Sequence, residues 1–126
     1  MNVFFLIAAL LLFLLVVAHT IWGEKMLFGP LKAQAALDGE QFVSLYVPWH
    51  QGTYLLLLCG VAMVWAAIDD SITELPWAVL AVAAGNLMVF LALSVMQGQM
   101  DLIKNSVPQT VLFLVLIALL LAGIAA

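Results

Sequence analysis

The 126-residue sequence predicts an all-α integral membrane protein, a single transmembrane domain built as a four-helix bundle. Hydrophobic residues make up 67% of the chain and charged residues only 8%, and the mean hydropathy is +1.26. These values lie far outside the composition of soluble domains. The apolar residues also fall into four separate runs, each close to the roughly 20 residues that a helix needs to cross about 30 Å of hydrocarbon.

The four runs place the predicted helices at about residues 3–22, 49–68, 77–96 and 107–124. Pro48 and Pro76 each precede a tryptophan at a proposed helix start, and Pro108 falls in the first turn of the fourth helix. Proline is tolerated there because its missing N–H group would have no partner in a first turn anyway. The runs lack the alternation of membrane-spanning strands, so helices are the remaining way to satisfy every backbone amide in lipid.

The connection between the first two helices, about residues 23–47, is predicted to be a structured end loop. Gly29-Pro30 is expected to break the first helix, and Asp38-Gly39 interrupts the loosely helical apolar pattern that follows. The segment carries mixed charge and is not long enough to span the membrane. We therefore expect a short helix or a partly ordered loop that lies on the end of the bundle.

All three lysines of the chain, Lys25, Lys32 and Lys104, fall on one side of the predicted bundle. Loops that carry lysine and arginine tend to remain in the cytoplasm. This side is therefore expected to be cytoplasmic, with both chain ends outside. The first run is expected to be retained as a helix, because residues 1–2 lack the basic side chain that precedes the apolar region of a signal peptide.

Composition also excludes several classes of function. The net charge of −4, without any arginine, removes the basic surface that nucleic-acid binding requires. The single cysteine, Cys59, lies in an apolar run and is assigned to packing, so the chain has no Cys-x-x-Cys redox centre. Phosphate-binding and hydrolase motifs are absent from the sequence. An enzyme would need more reactive groups, so we favour binding, sensing or transport over catalysis.

The candidate site lies where the first two helices meet the same membrane boundary. His19 comes late in the first predicted helix and His50 early in the second, so the two imidazoles are expected at nearly the same depth. Glu24 is the nearest carboxylate, and Thr53 shares a helical face with His50, where its hydroxyl is expected to orient a ring. Ionisable groups at this depth are costly unless they are paired or hydrated, which favours one polar site containing these side chains.

A second set of polar side chains is predicted to extend this site into the bundle. Asn86 lies near the middle of the third helix and is expected to face the bundle, because an amide in lipid needs a partner. Gln97 ends the same helix and Gln109 begins the fourth. Together the three predict an inward polar column that widens toward His19 and His50.

Two short elements give the chain a resemblance to known sequences. His19-x-x-x-Gly23-Glu24, followed by Pro30-Leu31, and Trp49-His50-x-x-Thr53 resemble the H-x-x-x-G-E and W-H-x-x-S/T elements of a group of small bacterial four-span membrane proteins of uncharacterised function. The resemblance covers the first half of the chain, and the second half is similar only in hydropathy. Where the group often has arginine after the G-E pair, this chain has Lys25. The resemblance implies that these residues act together in a bacterial cytoplasmic (inner) membrane, and it implies no particular activity.

Several functions remain open for the predicted site. His19, His50 and Glu24 form a candidate metal set, because imidazole and carboxylate suit transition metals and imidazole also ligates haem. A small polar ligand, or proton exchange by a histidine, fits the same side chains. The alternative is a non-enzymatic accessory or self-associating subunit of a larger membrane complex, with structural histidines. The fourth helix suggests it, because residues 111–122 are apolar all round and should face lipid or another protein.

Overall fold

The computed structural model describes residues 1–33 and 37–126, most of which are helical. The helices are α1 (Val3–Trp22), α2 (Gly29–Ala33), α3 (Gly39–Ile68), α4 (Glu74–Met96), α5 (Met100–Asn105) and α6 (Val107–Ala125), with a π-helical segment, Gly23–Phe28, between α1 and α2. The described residues contain no strand. Four stretches, Val3–Ala33, α3, α4 and α6, are long and apolar enough to cross a membrane. The predicted all-α four-helix transmembrane bundle is confirmed.

Each spanning helix packs against the next one in sequence, and the last packs against the first. The contact between α1 and α3 is the most extensive, and α6 packs on both α1 and α4. The part of α1 that faces its two neighbours is buried: Phe5, Ala8, Ala9, Leu12 and Leu15. The opposite part of the same helix exposes large apolar side chains, such as Leu10 and Leu14, as expected for a helix in contact with lipid.

Helix α6 likewise has a buried apolar side and an exposed apolar side. Leu116 and Leu120 are fully buried in the core, whereas Leu114, Val115 and Leu121 are exposed. The sequence has no polar residue over this stretch to mark an outer face. Part of α6 is therefore left with an exposed apolar surface, and the expectation that this surface faces lipid or another protein stays a prediction.

Aromatic rings of α1 lie against glycines of its two neighbours. Phe13 lies over Gly60 of α3, and a Cβ atom placed on that glycine would be 2.6 Å from the ring. Phe5 covers Gly123 of α6 in the same manner. Within a membrane, helices associate mainly through van der Waals packing, and small residues let their backbones approach closely. These two contacts therefore set the spacing of α1 from α3 and from α6.

Hydrogen bonds of Asn2 link the ends of three helices on the side opposite the candidate site. Its Oδ1 accepts hydrogen bonds from the backbone N–H groups of Phe4 and Phe5, at 3.1 and 3.3 Å, which caps α1. Its Nδ2 donates to the Gly123 carbonyl of α6 at 2.8 Å, and its backbone N–H donates to the Ala67 carbonyl of α3 at 2.8 Å. An N-cap asparagine normally bonds to backbone groups of one helix. Asn2 also donates hydrogen bonds to backbone carbonyls of two other helices.

The first spanning helix continues past residue 22, and the prediction that Gly29-Pro30 breaks it is wrong. After Trp22 the chain widens into the π-helical segment and then continues as α2 to Ala33. The Gly29 N–H donates to the Glu24 carbonyl, five residues back. Proline has no N–H, and in a regular α-helix its ring collides with the carbonyl four residues earlier. A π-turn directly before the proline relieves this conflict and keeps the helix continuous.

The second spanning helix begins at Gly39 rather than near residue 49. Asp38 caps it: its side chain accepts from the Gln41 N–H at 2.8 Å, and the Gln41 side chain accepts from the Asp38 N–H at 3.1 Å. This reciprocal capping box starts a helix where the sequence pattern had suggested an interruption, and Pro48 lies inside α3. The predicted end loop is thus helical over residues 23–33 and 39–47, while residues 34–36 lie outside the described part of the chain.

The helical hairpin formed by Val3–Ala33 and α3 is longer than the membrane is thick. Its two arms have 31 and 30 residues, or about 45 Å each at 1.5 Å per residue. The hydrocarbon core is roughly 30 Å thick, and helices usually tilt by only about 20°. The paired ends of the arms therefore extend beyond the hydrocarbon, and Glu24, roughly 30 Å along the helix from Val3, lies near the boundary.

The two remaining connections are short. Residues 69–71 form a polar turn, in which Asp69 Oδ1 accepts hydrogen bonds from the Ser71 hydroxyl at 2.6 Å and from its N–H at 3.0 Å. These bonds hold the pKa of the Asp69 carboxyl below its usual range. After α4, Gly98 adopts a left-handed conformation with φ of 67° and the Gln99 N–H donates back to the Ser94 carbonyl, as in a Schellman motif. Residues 97–106, which connect α4 to α6, contain the short helix α5.

We predict that Gly60→Ala destabilises the bundle by about 1–3 kcal/mol, the usual cost of overpacking a filled core. The new methyl group would collide with Phe13. The free energy of unfolding, measured by titrating the detergent-solubilised protein with denaturing detergent, tests this. Gly85→Ala in α4 is the matched control, because a Cβ atom there meets nothing within 4 Å and alanine favours helix over glycine. Equal losses from both substitutions would contradict the close approach of α1 to α3.

Candidate functional site

Trp49 of α3 is at the centre of the candidate site. Its indole stacks on the His19 imidazole of α1, with ring centroids 3.9 Å apart and an interplanar angle of 7°. Gly23 makes room for it, because a side chain at that position would collide with the indole. The indole N–H is buried and has no hydrogen-bond partner among the described residues, although a buried tryptophan usually finds one. Packing against the first helix therefore holds this ring in place.

His19 is oriented by a hydroxyl group. Its Nδ1 lies 2.8 Å from Thr53 Oγ1, and the same oxygen lies 3.3 Å from the Trp49 carbonyl. The Thr53 hydroxyl has one proton, which it donates either to Nδ1 or to that carbonyl. In a neutral imidazole the first arrangement leaves the ring proton on Nε2, and the second leaves Nε2 as an acceptor. In both arrangements Nε2 is the ring nitrogen without a bond to Thr53.

Glu24, Tyr46 and His50 form a second polar group, which we call the Glu24 cluster. One carboxylate oxygen, Glu24 Oε1, accepts hydrogen bonds from the Tyr46 hydroxyl at 2.6 Å and from His50 Nε2 at 3.2 Å. Tyr46 and His50 lie one turn apart on α3, with ring centroids 4.4 Å apart. The His50 and Glu24 side chains are 33% and 41% exposed, so water screens their attraction. A carboxylate shared by a phenol and an imidazole can hold a proton and exchange it with water.

Phe28 separates the two polar groups. Its side chain is 1% exposed and lies edge-on to Tyr46 and to Trp49, at centroid distances of 4.9 and 5.8 Å. Both Phe28 and Glu24 belong to the π-helical segment, a distortion that is frequent at functional sites. The rings of His19, Trp49 and Phe28 thus form a continuous aromatic layer that ends at the Glu24 cluster.

The structure divides the four side chains that were predicted to form one site. His50 and Glu24 meet directly, whereas His19 pairs with Thr53. Within residues 1–33 and 37–126, no three His, Cys, Asp or Glu side chains are grouped closely enough to hold a metal ion. The predicted three-ligand set of His19, His50 and Glu24 is therefore not assembled, because Trp49 fills the space next to His19.

A cavity of about 460 Å³, here named the His19 cavity, lies between the spanning helices. All four spanning helices contribute to its wall, which includes Leu15, His19, Trp49, Leu56, Asn86 and Gln109. Its volume lies in the range of small-molecule sites, which are typically apolar with a few convergent polar groups. The wall has this composition, since leucines and aromatic rings outnumber the polar side chains.

Two other surface depressions are weaker candidates for a ligand site. A cavity of about 650 Å³ lies at the opposite end of the bundle, beside Asn2 and Trp77. The side chain of Asn2 already makes its hydrogen bonds within the fold. A shallow groove along α3, between Tyr46 and Tyr54, draws on that one helix alone. The His19 cavity is therefore the better candidate for a ligand site.

The predicted polar column is only partly formed. Asn86 and Gln109 both line the His19 cavity, whereas Gln97 is exposed at the end of α4 and does not line it. The Asn86 amide donates to the Val82 carbonyl of its own helix at 2.9 Å. Asn86 was expected to face the bundle, and it lines the cavity but is exposed. The partner of its amide is a carbonyl of its own helix, which an asparagine four residues later reaches within one turn.

Tyr46 and Phe28 were not among the residues predicted for the site, and Trp49 was expected only at the start of the second helix and in the W-H-x-x-S/T element. Tyr46 was assigned to a loop, so its position one turn before His50 was not recognised. A sequence pattern could have placed Tyr46 on the same helical face as His50. Aromatic rings recur at every fourth residue, the spacing of one helical face: Phe42, Tyr46, His50 and Tyr54.

Comparison of the chain with protein-family models, with curated proteins and with solved structures gives no match in any of the three. The interpretation of the site therefore rests on the geometry of this chain. The resemblance carried by the elements around His19 and His50 stays a prediction.

We predict that Gly23→Ala displaces Trp49 and disrupts its stacking on His19, because the added methyl group overlaps the indole. The measurement is the fluorescence of Trp49 as the sole tryptophan, after replacement of the other three by phenylalanine, and the emission should shift. Gly52→Ala is the matched control, since its Cβ atom would make only an ordinary contact, 4.0 Å from the His19 ring. An unchanged spectrum in Gly23→Ala would contradict the packing described above.

Proposed function

We propose that this multi-pass membrane protein binds one small, membrane-soluble molecule in the His19 cavity. The observation that carries the proposal is the coincidence of the cavity with an oriented but incompletely bonded imidazole. His19 lines the cavity, and its Nδ1 is held by Thr53, which leaves Nε2 for a ligand. A side chain whose orientation is fixed by a neighbour is preorganised for binding.

The position of the cavity supports the same proposal. All four spanning helices line it, and its wall includes Trp22 and Leu55, which are 50% and 40% exposed on the outer surface of the bundle. A molecule dissolved in the bilayer can therefore reach it without crossing water. The nearest carboxylate, Glu24, is occupied by Tyr46 and His50 and is separated from the cavity by Phe28 and Trp49. The Glu24 cluster is suited to proton exchange with the aqueous side, and we assign ligand contact to His19.

Chemical analysis of the gently purified protein tests this proposal. A small molecule should co-purify with the wild-type protein in a near-stoichiometric amount and appear in an organic extract analysed by mass spectrometry. Ala18→Trp should abolish it, because Ala18 lines the cavity and the indole would fill the space. Val17→Trp is the matched control, since Val17 is the preceding residue, is 54% exposed and does not line the cavity.

Identical extracts from the wild type, Ala18→Trp and Val17→Trp, with bulk phospholipid alone, would overturn the proposal. The accessory or self-associating subunit would then be the better interpretation. Sizing of the complex in native membranes would test that interpretation directly.

We also propose that the protein lies in a bacterial cytoplasmic membrane with the hairpin end in the cytoplasm and both chain ends outside. The lysines on the hairpin and on α5, Lys25, Lys32 and Lys104, support this orientation. The connection between α3 and α4 on the opposite side carries Asp69 and Asp70 and no lysine or arginine.

Labelling of introduced cysteines tests the orientation. In a Cys59→Ala background, Ser71→Cys should react with a membrane-impermeant maleimide in intact cells. Lys32→Cys should react only after the membrane is permeabilised, because it lies at the hairpin end. The reverse pattern would contradict the orientation alone, and labelling of both positions from the same face would contradict the four-span topology as well.

A further inference from the structure

The wall of the His19 cavity carries no formal charge. No aspartate, glutamate, lysine or arginine is found among the described residues that line it. A charged group moved there from water would lose its hydration without gaining a counter-charge, which is strongly unfavourable. The cavity therefore disfavours anions and cations alike, and a carboxylate would be accommodated only against a protonated His19.

Polarity changes along the length of the cavity. Helices α1 and α4 run toward the hairpin end, and α3 and α6 run away from it, because consecutive helices are antiparallel. Leu15 and Phe113 consequently lie about one turn deeper in the membrane than His19 and Gln109, and Leu56 lies about two turns deeper than Trp49. The polar residues of the α5–α6 junction, Asn105 and Ser106, also line the shallow end. A ligand that matches this gradient has a polar head near His19 and an apolar body directed toward the bilayer centre.

Two side chains of the wall, His19 at the shallow end and Asn86 near the middle of α4, can bind hydrogen-bond donors and acceptors equally. His19 Nε2 is a donor or an acceptor according to where the Thr53 hydroxyl places its proton. The Asn86 amide uses one N–H on the Val82 carbonyl and keeps its oxygen and its second N–H. A hydroxyl group and a carbonyl group both find a partner here without any change in the charge of the protein.

We propose, building on the function proposed above, that the ligand of the His19 cavity is an uncharged amphiphile. Its head carries a hydroxyl or a ring carbonyl, as in a long-chain alcohol, a phenol or a quinone. The head binds His19 Nε2 and the Asn86 amide, and the apolar body lies against Leu15, Leu56 and Phe113. Thr53 is a positioning residue, which acts on the ligand through His19.

Four probes with chains of ten carbons, counting the carboxyl carbon of decanoate, test the class of ligand: decanol, decylubiquinone, decanoate and decyltrimethylammonium. The protein is placed in phosphatidylcholine nanodiscs with ¹⁵N-labelled histidine, and the probes are compared at equal mole fraction in the bilayer. The chain has two histidines, so the spectrum of His19→Gln assigns the His19 resonance. Decanol and decylubiquinone should shift the His19 Nε2 signal saturably. Decanoate and decyltrimethylammonium should bind at least about tenfold more weakly, given the cost of an unpaired charge.

Cavity-filling variants distinguish the cavity from the bilayer. Ala18→Trp should abolish the saturable shift, and Val17→Trp should retain it. Gly52→Leu provides a second filled cavity if Ala18→Trp does not fold, because Gly52 lines the cavity and a Cβ atom there would make only an ordinary contact, 4.0 Å from the His19 ring.

Each outcome of this experiment bears on one proposal separately. Equal or stronger binding of either charged probe would overturn the uncharged class and leave ligand binding in the cavity intact. If none of the four probes shifts the His19 resonance, the amphiphile class is wrong. Whether the cavity binds any molecule is then decided independently by the co-purification of a small molecule with wild type but not with Ala18→Trp.

Discussion

The close approach of the first spanning helix to α3 is the constraint on which the rest of this structure depends. It is made at two glycines, Gly60 under the ring of Phe13 and Gly23 under the indole of Trp49. In lipid the hydrophobic effect does not drive two apolar helices together, so the fit of side chains against backbone must do so. Each of the two glycines removes one side chain and thereby accommodates a whole aromatic ring from the partner helix.

The two arms of the hairpin also contain prolines near the membrane boundary. Pro30 lies in α2 and Pro48 lies inside α3, and each removes a backbone donor from its helix. The π-helical segment before Pro30 widens the first helix at the level where Trp49 must be accommodated. The local distortion and the aromatic packing therefore occur together, and they place Glu24 within reach of Tyr46 and His50.

Hydropathy alone was enough to predict the number and order of the spanning helices, because a run of apolar residues in lipid has few alternatives to a helix. It was not enough to place the ends of the hairpin. Gly29-Pro30 and Asp38-Gly39 have the composition of helix breakers, and only contacts with the neighbouring helix and a capping box reveal that they continue or begin one. Tertiary packing overrides local preference at such positions.

The partners within the site were predictable in part for the same reason. Matching the depth of His19 and His50 was sound, but depth does not specify which side of a helix faces which neighbour. Trp49 determines these pairings: its large planar ring stacks on His19, and the carboxylate of Glu24 pairs with His50 instead. From sequence, a tryptophan near a membrane boundary is expected at the lipid interface. Trp49 lies inside the bundle because Gly23, on a different helix, leaves room for its ring.

The aromatic layer of Trp49 and Phe28 also gives the division into two polar groups a physical consequence. Charge is concentrated in the Glu24 cluster, which is partly exposed at the hairpin end, where water stabilises it. The His19 cavity on the other side of the layer has an uncharged wall, where hydrogen bonds are stronger because the dielectric constant is lower. If Glu24 and the His19 cavity formed one site, either the carboxylate would be placed in lipid or the cavity would be open to water. By separating them, the fold keeps the ionisable pair hydrated and leaves the membrane-embedded imidazole with a nitrogen available to a ligand.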